Sequence, residues 1–90
     1  MSSSYNDCKA RATKAANLLL TKVQKPAEVN GVFFTIGTTS STSVFIQCAK
    51  HPLGSSFVVV TSTKYYQDRY DGDSLRKRIA GIIQGRISIQ

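Results

Sequence analysis

The hydrophobic period of this chain changes twice, and those changes constrain its fold more than any other feature. Over residues 4–24, Tyr5, Cys8, Ala12, Ala15, Ala16, Leu19 and Val23 recur at three- and four-residue steps, drawing one apolar stripe down a helix. Ser4 and Asp7 have the spacing of a capping box, with Asp in place of the usual Glu. Pro26 closes the helix, because the residue before a proline is pushed out of the α region. From residue 32 the period is two, and β-branched and aromatic residues predict strands over 32–37, 44–49 and 56–62. Asn30-Gly31, the small polar run 37–43 and His51-Pro52-Leu53-Gly54 supply the turns. Helical spacing returns over 74–84, where Asp73 is the expected N-cap after a break at Gly72. Leu75, Ile79, Ile82 and Ile83 form the apolar face of this helix and Gly85 its C-terminal cap. The tail 86–90 alternates like a strand over too short a span to assign.

Ninety residues make one small domain with an ordinary core, and the apolar fraction of 41% is that of a folded chain. The expected fold is α+β, in the order α-β-β-β-α. Short connections make the three strands antiparallel, and both helices should cover one face of the sheet. That order is similar to the one used by double-stranded-RNA-binding domains and by the Alu-binding proteins of the signal recognition particle. The resemblance is confined to the order of elements, since the Lys-Lys-x-Ala-Lys pattern of the former is absent. With Val32, Phe34, Ile36, Val44, Ile46, Phe57 and Val59 turned to the helices, the other face carries Phe33, Phe45, Val58 and Val60. A bare apolar patch of that kind marks a contact surface, here expected for a homodimer or a heterodimer.

Catalysis is not expected. The single histidine, His51, lies before a proline, and Cys48 three residues earlier has no acidic group nearby to orient a Cys–His pair. Asp68, Asp71 and Asp73 lack the closing Glu of a calcium loop, and no phosphate-binding glycine motif occurs. No cofactor is expected, and no metal, because Cys8, Cys48 and His51 cannot close a four-ligand zinc site. The polar N-terminus and the lack of a long apolar run argue against a secretion signal and a membrane span. The expected location is therefore cytoplasmic, with both cysteines as small buried hydrophobes and a disulfide only in an exported chain.

The net charge is +7, which points to an acidic partner. On one long first helix, Arg11, Lys14 and Lys22 share a sector away from the apolar stripe. In the last helix, Arg76, Lys77 and Arg78 fall at the start, where each cation costs about 0.3–1 kcal/mol against the macrodipole. A cost accepted there is the pattern of an anion site. Lys64, Tyr65, Tyr66, Arg69 and Tyr70 precede it, and flat rings beside cations suit unpaired bases on a phosphate backbone. The leading expectation is a non-enzymatic module for nucleic acid, RNA or single-stranded DNA. The alternative is a protein-binding regulator or phage-type inhibitor that docks an acidic protein on the open sheet face.

Overall fold

The computed structural model describes residues 4–86; the first three residues and positions 87–90 of the strand-like tail lie outside the described residues. The architecture is α+β, with two helices on one face of an antiparallel sheet. The sheet has five strand segments in four positions, where three strands were expected.

The first helix, α1, spans Tyr5–Leu19. Ser4 caps it: its hydroxyl accepts from the Asp7 N–H at 3.1 Å, satisfying one of the donors left over at a helix start. The helix ends at Leu19 rather than 24 because the chain is captured by the sheet. The Thr21 N–H donates to the Thr38 carbonyl and the Gln24 N–H to the Ile36 carbonyl, both at 2.8 Å. Two short strands result, β1 (Lys22–Val23) and β2 (Ala27–Val29), end to end along the same edge of β3 (Val32–Thr38). Pro26 lies between them and has no N–H to donate, so it interrupts an edge strand rather than ending a helix. Asn30 (φ 51°) and Gly31 (φ 77°) form the two-residue turn from β2 to β3. Positive φ at both central residues is what a tight hairpin demands.

The sheet continues as a meander through β4 (Thr42–His51) to β5 (Gly54–Thr63), which forms the far edge. In β4, Thr42, Val44, Ile46 and Cys48 face the helices. In β3 the parity is the reverse of the expected one. Phe33, Thr35 and Gly37 point to the helices, and Val32, Phe34 and Ile36 to the open side. The cause is register: Phe33 pairs with Cys48, Thr35 with Ile46 and Gly37 with Val44, and residues opposite each other share a face. Cys48 is held on the helix side by a disulfide to Cys8 on α1, with Cα atoms 6.1 Å apart. The expectation of two unlinked buried cysteines is thus corrected; both sulfurs are buried, but as one bridge between a helix and the central sheet.

The second helix, α2, spans Arg69–Ile83 after a short 3-10 turn at Tyr66–Asp68, so it begins five residues before the expected Ser74. Asp73 is inside it and is not its cap. Gly72, read as a break, is a close-approach glycine: a Cβ there would stand 2.8 Å from the Thr63 methyl of β5. At the other end Gly85, at φ +76°, caps as expected. The Arg86 N–H bonds to the Gly81 carbonyl and the Gly85 N–H to the Ile82 carbonyl, the paired bonds of a Schellman ending. Ile79, Ile82 and Ile83 meet Cys8, Ala12, Ala15 and Ala16 of α1 and Val44 and Ile46 of the sheet in one core. The small α1 residues let the helices lie close together, and the isoleucines fill the space between them and the sheet.

Candidate binding surface

Among the described residues, no element covers the side of the sheet away from the helices. Register places Ile36, Phe45 and Val60 in one cross-strand row and Phe34, Gln47 and Val58 in the next. Val58 and Val60 retain 50% and 49% of their surface exposed. The Phe34 and Phe45 rings stack with centroids 6.2 Å apart, a diagonal pair across β3 and β4. A third row is polar: Lys22, Thr38, Ser43 and Ser62. No acidic residue lies on this face among the described strands, since Glu28 pairs with Phe33 and so points to the helix side. Of the four expected interface residues, Phe45, Val58 and Val60 are here. Phe33 is not; it is 8% exposed and packs beneath the helices. Phe34 and Ile36 replace it.

The expected cationic surface divides into parts with different roles. Arg11 holds the end of α2, its guanidinium donating to the Ile83 carbonyl at 3.2 Å, where a cation meets the negative end of the macrodipole. We expect Arg11→Gln to remove about 1 kcal/mol of stability, read as a fall in melting temperature of about 4–8 °C. A melt unchanged by the substitution would remove this assignment. Lys22 is on β1, so the helical sector of Arg11, Lys14 and Lys22 does not exist. Lys14 remains exposed on α1.

Arg76, Lys77 and Arg78 are in the middle of α2 rather than its first turn, so the argument from charge at a helix start falls. Asp73 accepts from Arg76 at 2.5 Å and pairs with Lys77 at 3.1 Å, the i+3 and i+4 partners of a helix surface. The hydrogen bond from Arg76, then that from Lys77, holds the Asp73 carboxyl below the ordinary aspartate range. Arg78 is exposed.

The aromatic group stays together. The Arg69 guanidinium lies 3.9 Å from the centroid of Tyr66 and 4.4 Å from that of Tyr70, between the two rings. It also donates to the Tyr66 carbonyl at 3.1 Å and the Tyr70 hydroxyl at 3.3 Å. Tyr66 and Tyr70 are 79% and 71% exposed. Lys64 stands 5.4 Å over the Tyr65 ring. One face of each of the Tyr66 and Tyr70 rings is therefore already occupied by a cation of the same chain.

A separate cluster ties β2 to α1. Glu28 accepts from the Tyr5 hydroxyl and from Lys9, at 3.2 and 3.3 Å for the latter. Those bonds, Tyr5 first, hold the Glu28 carboxyl down; burial and the same contact push the Tyr5 hydroxyl up to about 12. This is an anchor for the edge and not a site.

Several openings flank the sheet, and two of them adjoin the elements described above. One, of about 180 Å³, is lined by Thr13, Asn17, Gln24, Lys25 and Thr35 among others where the edge strand is interrupted. The buried Thr35 hydroxyl there has no hydrogen-bond partner among the described residues. The other, of about 370 Å³, runs between β5 and α2 and is lined by Val59, Val60, Thr61, Thr63, Arg69, Gly72, Asp73 and Arg76. Among the described residues no three His, Cys, Asp or Glu side chains gather as metal ligands, and no helix is long and apolar enough to cross a membrane. No family model, curated protein or solved structure matches the chain.

Proposed function

We propose that this chain is a small non-enzymatic protein-binding module whose working surface is the open face of the sheet. The observation that carries this reading is the face itself. Phe34, Ile36, Phe45, Val58 and Val60 form a continuous apolar patch, rimmed by Lys22 and small hydroxyl residues and free of acidic groups. Water against such a patch is displaced most favourably by another apolar surface. A net charge of +7 selects an acidic partner and speeds its approach.

A second reading keeps nucleic acid as the ligand, favoured by the exposed Tyr66–Arg69–Tyr70 stack. One experiment separates the two. Immobilised chain is exposed to lysate and washed with rising salt. We expect a polypeptide that resists moderate salt, is lost in the Val58→Lys/Val60→Lys variant and is kept in a Leu18→Lys control on the helix side. Material absorbing at 260 nm that leaves steeply with salt, survives the Val58→Lys/Val60→Lys change and disappears in Tyr66→Ala would replace the first reading by the second.

A further inference from the structure

The gap in the edge strand lies beside one particular residue. Register pairs Val23 with Gly37 and Ala27 with Phe34, so Gln24, Lys25 and Pro26 stand opposite Thr35 and Ile36. Of those two, Thr35 points to the helices and is 1% exposed. It shares its cross-strand row with Ile46 and Val59. Valine has nearly the same shape and would complete that row without burying a hydroxyl. The Thr35 hydroxyl has no hydrogen-bond partner among the described residues, and a buried polar group left so is costly to the fold. A group from outside the chain would remove that cost.

Thr35 lines the opening of about 180 Å³ at this gap. Ala16, Val23 and Pro26 give the opening apolar walls, and Asn17, Gln24 and Lys25 bring side chains with N–H donors. Lys25 is the one charged residue of the lining and pairs with no carboxylate among the described residues. Glu28, the acid nearest to it in sequence, is held by Tyr5 and Lys9. We propose that this opening binds a small organic carboxylate. One oxygen accepts from the Thr35 hydroxyl, Lys25 lies near the charge, and the carbon chain packs on Ala16, Val23 and Pro26. The site is separate from the open sheet face and goes beyond the reading of that face as a protein-binding surface.

Size and charge narrow the ligand. A cavity of about 150 Å³ takes up benzene, so this one has room for about six or seven non-hydrogen atoms. No acidic residue lines the opening, so an anion meets no like charge there, whereas a cation would meet Lys25. A carboxylate only accepts hydrogen bonds, and its two oxygens can take donors from Thr35 and from Lys25 or an amide at once. A neutral amide of the same size has one oxygen and brings two N–H groups that need acceptors of their own. A chain of four carbons ending in a carboxylate meets both limits.

The test uses the whole chain, isotopically labelled, titrated with butyrate and with butyramide, its neutral counterpart of equal size. Butyrate is expected to shift the backbone amides of Asn17, Gln24, Lys25 and Thr35 saturably, and butyramide to bind about tenfold more weakly. Thr35→Val, which keeps the shape and removes the hydroxyl, should weaken butyrate about tenfold and leave the melting temperature unchanged or raised. Lys25→Gln, at an exposed position, should weaken it about threefold. Equal response to the two ligands, no saturable shift at these amides, or undiminished binding by Thr35→Val overturns the proposal. Butyrate shifts that extend equally to Lys14 and Arg78 show a general attraction of anions to a chain of charge +7 and also overturn it. So does a Thr35→Val melt lowered by several degrees, since the hydroxyl would then have a partner within the fold.

Discussion

Replacing both cysteines, as Cys8→Ala/Cys48→Ala, is expected to lower the melting temperature by on the order of 20 °C. The bond joins residues 40 apart in sequence, and cross-linking a loop of that size removes about 4 kcal/mol of chain entropy from the unfolded state. For a domain this small that is a large part of the whole stability. Calorimetry of the variant beside the parent checks the value, and a melt of the parent with reductant should move the same way. A shift below about 5 °C would mean that packing of α1 on the sheet suffices and that the bond is incidental. In a reducing compartment the chain would carry two thiols and this contribution would be absent.

Gly37→Ala is expected to cost about 3 kcal/mol, the upper part of the range for an overpacked site. In a strand, propensity alone would make alanine the better residue, so the sign of the effect isolates sterics. A Cβ at Gly37 would stand 2.6 Å from the Lys22 carbonyl oxygen and 2.6 Å from a Leu20 methyl. The first contact is with backbone and cannot be relieved by a rotamer change. Relief requires β1 to leave β3 and Leu20 to leave the core, where it is 8% exposed. Denaturant unfolding should show the loss in midpoint, with amide exchange quickened at Thr21 and Gln24, whose N–H groups bond to β3. A neutral or stabilising change would show that the edge yields freely at this point.

Much of the fold is legible in the residues. The shift from helical spacing to alternation and back reveals both helices and the three long strands, and Gly85 and Ser4 mark their ends by simple capping chemistry. The misread places share a cause: a residue with two uses. Pro26 stops helices and also interrupts edge strands, and the structure takes the second use. The signal against a helix to 24 was already present at Asn30-Gly31, since a hairpin turn needs a strand on each side. Gly72 resembles a break but is where α2 rests on Thr63. With α2 started too late, Arg76, Lys77 and Arg78 fell at a helix N-terminus where they are not.

The parity of β3 was beyond local pattern. Its first six positions, Val32 to Gly37, hold apolar groups in both phases, and the larger set, Val32, Phe34 and Ile36, is the outward one. Only the pairing of Phe33 with Cys48, and of Cys48 with Cys8, decides the phase, and both are long-range. The open sheet face depends on that phase, which is why Phe45, Val58 and Val60 were placed on it from sequence and Phe34 and Ile36 were not. Arg11 likewise carries no local mark of its bond to Ile83, 72 residues away.

The interruption at Pro26 has a bearing on how this chain associates when it goes astray. Growth of a fibre by edge-to-edge pairing needs two usable edges on every subunit, one to receive and one to pass on. Here the β1/β2 side offers two fragments and a residue without an N–H, while β5 is whole. Any pairing through β5 would therefore stop after a single event. An open-ended polymer would first require the β1/β2 side to be rebuilt into one continuous strand.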